Sequence, residues 1–164
     1  MDTFECIFKR VSVREYEAKP ISQQVLIQLV DAGRRAPTAR AVEPWGFVVV
    51  TERELLKTIG EIANTGVFIK DSLACIVVFC QDTKYYLEDG CAATENILLA
   101  ACSFGLGACW VAGDKKPYAE DIKKLLNAPP DLKLISLISL GWPKKEIPQS
   151  KKREINDVIH WQRF

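Results

Sequence analysis

Residues 73–80, LACIVVFC, are apolar at every position, so a strand built from them would have to be covered on both faces. That requirement restricts the fold more than any other stretch, because it asks for helices on each side of a sheet. Residues 45–50, WGFVVV, are β-branched and aromatic, and residues 132–140, LKLISLISL, form the last strong strand. Between them, residues 89–104, DGCAATENILLAACSF, are apolar almost all round and rich in Ala and Cys. They predict a buried helix whose small side chains let another backbone come close, and that surface suits a partner subunit.

The remaining segments alternate with these. Residues 2–9 predict a short helix packing Phe4, Ile7 and Phe8, followed by an extended segment over 10–16. Ser22 can cap a helix in which Val25, Leu26, Leu29, Val30 and Gly33 recur at helical spacing up to the stop at Pro37. Residues 52–63 return to a helical period, Gly105 and Gly107 end the long apolar helix, and Pro117 begins another helix through Asn127. Residues 143–154, PKKEIPQSKKRE, read as a linker. The tail 155–164 carries Ile155, Val158, Ile159, Trp161 and Phe164, which an arm reaching over a neighbouring subunit would bury. Interleaved helices and strands in 164 residues give one domain, a three-layer sandwich around a small mixed sheet.

Charge and cysteine usage exclude several classes. With 22 Lys plus Arg against 21 Asp plus Glu, no global field draws the chain to nucleic acid or to an acidic membrane surface. Six cysteines contain no CxxC pair and His160 is the only histidine, so neither zinc nor an iron–sulfur cluster finds its usual ligand spacing. Cys75, Cys80, Cys91, Cys102 and Cys109 read as small buried hydrophobes in a reducing compartment. No run of about 18 apolar residues is present, and a soluble cytoplasmic protein is expected. His160 and Trp45 read as structural, and Glu95 and Asn96 as satisfied polar partners at a helix–helix contact.

Any anion site must then be local, and residues 9–16, KRVSVREY, offer one. Arg10, Ser12 and Arg14 fall on every second position, so an extended chain places two guanidiniums and a hydroxyl on one side and Val11 and Val13 on the other. The two arginines are then about 13 Å apart at the backbone, close enough for both side chains to converge on one phosphate-sized group. The same alternation suits an exposed edge strand whose charges resist aggregation.

Laid in order, RVSVREY, APTARAVEPWGFVVV, LEDGCAATENILLAACSFGLGACWVAG and LISLISLGWPKKEIPQSKKREINDVIHWQRF resemble the nitroreductase family of FMN-dependent oxidoreductases, in its compact form. The resemblance implies an α+β fold, a three-layer α/β/α sandwich around a mixed, mainly antiparallel sheet, in an intertwined homodimer with FMN at the subunit interface. Residues 1–164 would be a single FMN-binding domain, of which 151–164 are an arm reaching the partner subunit. Arg10, Ser12 and Arg14 would hold the FMN phosphate and ribityl chain. Pro37, Thr38, Ala39, Arg40 and Ala41 resemble the loop that approaches the flavin from the second subunit, with Ala41 and Glu43 standing where the family usually has Asn and Gln. Leu106 and Gly107, in the turn Gly105-Leu106-Gly107, would meet the isoalloxazine edge, and the basic run Lys151, Lys152, Arg153 would return to the phosphate, with Lys151 and Arg153 as ligands.

In such a protein the cofactor carries the redox chemistry, and no catalytic side chain is required of the chain. The implied activity passes a hydride from NADH or NADPH through flavin N5 to a small oxidised acceptor, such as a nitro compound or quinone, in ping-pong turnover. Two other classes stay open: a flavin carrier or protein-reduced flavoprotein, and a structural dimer whose pocket has lost FMN.

Overall fold

A computed structural model describes residues 1–164. In chain order the elements are α1 (Thr3–Lys9), β1 (Tyr16–Glu17), α2 (Gln23–Gly33), β2 (Trp45–Val50), α3 (Arg53–Ile62), β3 (Ala74–Gln81), α4 (Tyr86–Ser103), β4 (Gly107–Ala112), α5 (Ala119–Leu125) and β5 (Leu132–Pro143). Ser22 caps α2 by accepting from the Val25 N–H, as the sequence predicts. β5 runs three residues past its predicted end because its last residues pair with β1, Tyr16 opposite Pro143 and Glu17 opposite Trp142.

β5 is the hub of the sheet. Ile138 has Ile76 of β3 on one edge and Trp110 of β4 on the other, and β2 completes the sheet beyond β3. Every ladder is antiparallel, and the single parallel contact is a bridge from Ser12 to Ala108. β3 is buried over its first seven residues, and its side chains divide by parity. Ala74, Ile76, Val78 and Cys80 pack with Leu26 and Leu29 of α2 and Ile97, Leu98 and Ala101 of α4. Cys75, Val77 and Phe79 pack with Leu56 and Ile59 of α3 and Ile122 of α5. Helices therefore cover both faces, giving the three-layer α/β/α sandwich.

The parity of β5 is broken once. Val78 lies opposite Ser136 but Phe79 opposite Leu134, which leaves Ile135 as an extra, bulged residue. The bulge turns Ile135 towards α4, where Gly90 receives it: a Cβ on Gly90 would lie 2.7 Å from Ile135 Cγ1. Ser136 then faces Thr94, whose hydroxyl lies 2.8 Å from the Ser136 hydroxyl and donates to the Gly90 carbonyl. No buried side-chain nitrogen or oxygen is left without a partner.

The expectation for α1 changes. Helix α1 turns Cys6 inward, and Phe4, Ile7 and Phe8 are exposed; Phe4 and Phe8, one turn apart, stack on each other with ring centroids 6.3 Å apart. The tail likewise lies exposed in the single chain, Trp161 at 75 %. All six cysteines are free thiols, with Cys91 and Cys102 only half-buried; burial pushes Cys75 and Cys80 up to about 12, so both are neutral core groups. Side chains do not gather into a metal-ligand cluster, and no helix is long and apolar enough to cross a membrane.

Gly90→Ala weighs two opposed effects. Alanine gains about 0.8–1 kcal/mol in helix propensity, whereas the overpacking against Ile135 costs about 1–3 kcal/mol. The expected outcome is a net loss of about 1 kcal/mol, measured as a lower urea midpoint. An unchanged or higher midpoint would show that α4 can back away from the bulge.

Candidate functional site

Residues 10–15 are extended but form no regular strand; they are tied down at points. The Val13 N–H donates to the Ala108 carbonyl at 3.0 Å, and the Lys144 N–H donates to the Glu15 carbonyl at 3.1 Å. From the other side, Gln149 Nε2 donates to the carbonyls of Phe8 (2.6 Å) and Arg10 (2.7 Å). The stretch read as a linker is thus folded back across the amino-terminal segment. Gln149 has no local signal, since its partners lie about 140 residues away in the chain.

The predicted alternation holds at Val13, which is buried, and at Arg14, which is exposed. Val11 departs from it: rather than entering the core it lines two adjoining depressions. The smaller, about 290 Å³, is lined by Arg10, Val11, Ser12, Arg14, residues 147–150 and Lys152. Its charged lining is cationic throughout, so its chemistry fits a phosphate, which accepts and does not donate when ionised. The larger, about 490 Å³, shares Arg10, Val11, Ile147, Pro148 and Gln149 with it and continues past Leu98, Cys102 and the 105–108 turn. Its half-apolar lining fits a flat heteroaromatic ring joined to that phosphate.

The individual cations are held differently. Arg14 places its guanidinium over the Phe68 ring, 5.5 Å from the centroid. Arg10 Nε lies 3.6 Å from a Glu95 carboxylate oxygen. Glu95 is therefore not a buried helix-contact group as expected; it is half-exposed and faces Arg10, while Asn96 does donate across to the Ala32 carbonyl at 3.0 Å. An exposed pair of this kind is worth about 0–1 kcal/mol, less than a charge-assisted bond to phosphate at about 1.5–3 kcal/mol, so Glu95 orients Arg10 without disabling it. Of the basic run, Lys152 lines the smaller depression. Lys151 does not, and Arg153 turns away, donating to the Asp157 carbonyl at 2.6 Å.

The turn after α4 separates the roles of its two glycines. The Leu106 N–H donates to the Ala101 carbonyl and the Gly105 N–H to that of Cys102, a Schellman end that requires the positive φ of 75° found at Gly105. Both N–H groups are committed to the helix, so they are not free donors to a ring. Gly107 has no positive φ; its missing Cβ makes room for Val13, which a Cβ there would meet at 2.6 Å.

Pro37, Thr38, Ala39, Arg40 and Ala41 line neither depression. Buried Asp89 fixes this loop, accepting from Thr38 Oγ1 and the Ala39 N–H, both at 2.9 Å. Asp89 is in the first turn of α4 and Gly105 follows its end, roughly 20 Å apart along the axis. The loop is thus anchored at the opposite end of α4 from the 105–107 turn, which lines the larger depression. Arg40, Ala41 and Glu43 all adopt left-handed backbone, φ 60°, 54° and 51°. Asparagine tolerates that region better than alanine, which makes Ala41 a strained choice.

The family model described as Nitroreductase family matches residues 7–82 and 80–142. A protein of Methanothermobacter thermautotrophicus named "Putative NADH dehydrogenase/NAD(P)H nitroreductase" is 33% identical over 170 residues, spanning 100% of this chain and 88% of its own. The crystal structure of a protein of the same name from Parabacteroides distasonis superposes with a TM-score of 0.93 at 32% identity, covering 99% of this chain and 98% of the other. An FMN-dependent nitroreductase from Clostridium difficile shares the fold, with a TM-score of 0.86 at 24% identity over 98% of this chain and 99% of its own. On the strength of the match along most of its length, the chain belongs to the nitroreductase family.

Proposed function

We propose that this protein is an FMN-dependent oxidoreductase that passes a hydride from NADH or NADPH to a small oxidised acceptor such as a nitro compound or quinone. The observation that carries the reading is the cationic depression opening into a half-apolar groove through five shared residues. Relatives named as nitroreductases support it, and the Clostridium difficile neighbour is named as FMN-dependent.

Arg10, Ser12, Arg14 and Lys152 bind the phosphate, with Lys151 and Arg153 adding positive charge from the following arm. Leu106 and Gly107 set the edge of the ring site through backbone shape. When bound, FMN supplies the two-electron chemistry, so the chain needs no nucleophile or strong acid of its own. The groove is open in the single chain, and donor and acceptor use it in turn, which gives ping-pong kinetics. Pro37, Thr38, Ala39, Arg40 and Ala41 reach the groove from the second subunit of a homodimer. A two-fold axis makes that contribution reciprocal. The exposed side chains of α1 and of the tail, among them Phe4, Phe8, Ile155 and Trp161, supply apolar area for such an interface, with residues 151–164 as the arm that crosses it.

The test is the absorption spectrum after FMN reconstitution and desalting, followed by anaerobic NADH or NADPH. Retained flavin bands that bleach are expected; bands that persist would favour a carrier or a protein-reduced flavoprotein, and no retained flavin would leave a structural dimer. Arg14→Ala is expected to weaken FMN binding by about 1.5–3 kcal/mol while leaving riboflavin, which has no phosphate, within twofold of wild type by titration calorimetry. Removing residues 155–164 is expected to shift the protein to monomer in sedimentation velocity and to release FMN on desalting; a stable, yellow dimer would remove the arm from the interface.

A further inference from the structure

Gly107 and Gly141 are direct partners across the β4–β5 ladder, so both lack a side chain at one spot on one face of the sheet. The notch is filled by the segment that carries the cations. A Cβ on Gly107 would meet Val13 at 2.6 Å, and one on Gly141 would meet Tyr16 Cγ at 2.6 Å. Tyr16 packs over Gly141, and its hydroxyl reaches Ser139, two residues along the same face. There it lies 2.6 Å from Ser139 Oγ and donates to the Val13 carbonyl at 2.6 Å. Since the phenol has one proton, Ser139 is the donor to Tyr16. Val13 is thereby gripped at both polar groups, its N–H on Ala108 and its carbonyl on Tyr16.

A phenylalanine would fill the notch equally well. Burying the extra hydroxyl is unfavourable unless it is bonded, and the bonds it makes run to a buried serine and to the backbone between Ser12 and Arg14. Burial also pushes the phenol well above its ordinary value, keeping it a donor. We propose that Tyr16, backed by Ser139, is a positioning residue that fixes the backbone from which Ser12 and Arg14 reach a phosphate, and so sets the preference for a phosphorylated flavin over an unphosphorylated one. This rests on the phosphate reading of the depression. Tyr16 touches no ligand; it acts through Val13.

The test compares FMN with riboflavin on the full-length protein. Tyr16→Phe keeps the ring in the notch and removes only the hydroxyl. The expected result is a roughly 3- to 10-fold loss of FMN affinity, the scale of one hydrogen bond, with riboflavin affinity unchanged. Ser139→Ala removes the support without touching the ring, and the same selective loss is expected; it keeps the test readable should the phenylalanine variant fold poorly. Equal losses for both flavins would reveal a merely structural role, and an unchanged FMN-to-riboflavin ratio in both variants would overturn the proposal while leaving the phosphate reading intact. Wild-type protein binding riboflavin as tightly as FMN would overturn the phosphate reading itself, and the positioning role with it.

Discussion

β5 is paired along both edges and buried through its middle, and β1, β3 and β4 are all registered against it. Its antiparallel ladder with β3 sets which side chains meet α2 and α4 and which meet α3 and α5. The bulge at Ile135 lets one strand serve both layers out of phase. Upstream of the bulge, Leu134 packs towards α5; downstream, Ile138 and Leu140 pack towards α4. The strand's far end then leaves the core, takes β1 as a partner and delivers residues 143–149 to the rim of the groove. Core and candidate site thus share one continuous piece of backbone.

Legibility in the sequence followed the range of the interactions. LACIVVFC announced a covered strand because its burial is written into each residue, and Ser22 announced a helix start because the group it caps is three residues away. The bulge was not legible. Residues 134–139 repeat Leu-Ile-Ser, and nothing local says that Ser136 turns to Thr94, 42 residues distant, while Ser139 turns to Tyr16, 123 residues distant. Apolar residues of α1 misled for a related reason: Phe4 and Phe8 look like core in a helix with apolar spacing, yet the single chain buries only Cys6.

The same holds at the candidate site. Arg10, Ser12 and Arg14 could be picked out by alternation, and the structure does bring them to one depression. Gln149, Glu95, Phe68 and Asp89 could not, since each acts on a partner that is remote in sequence. Within the basic run the resemblance singles out Lys151 and Arg153, and no local signal favours Lys152. Only the path of the backbone after Pro148 turns Lys152 inward and Arg153 towards Asp157.

Helix α4 acts as a spacer. Its first turn holds the 37–41 loop through Asp89, and its last turn opens into the groove. In the proposed homodimer, where the loop of one copy completes the groove of the other, ligand affinity inherits the law of mass action for association. Dilution below the dimer dissociation constant would shed ligand even with every binding side chain intact, and ligand would in turn raise the apparent dimer stability by the same free energy. Occupancy and assembly would then be one equilibrium, read from either end of a single helix.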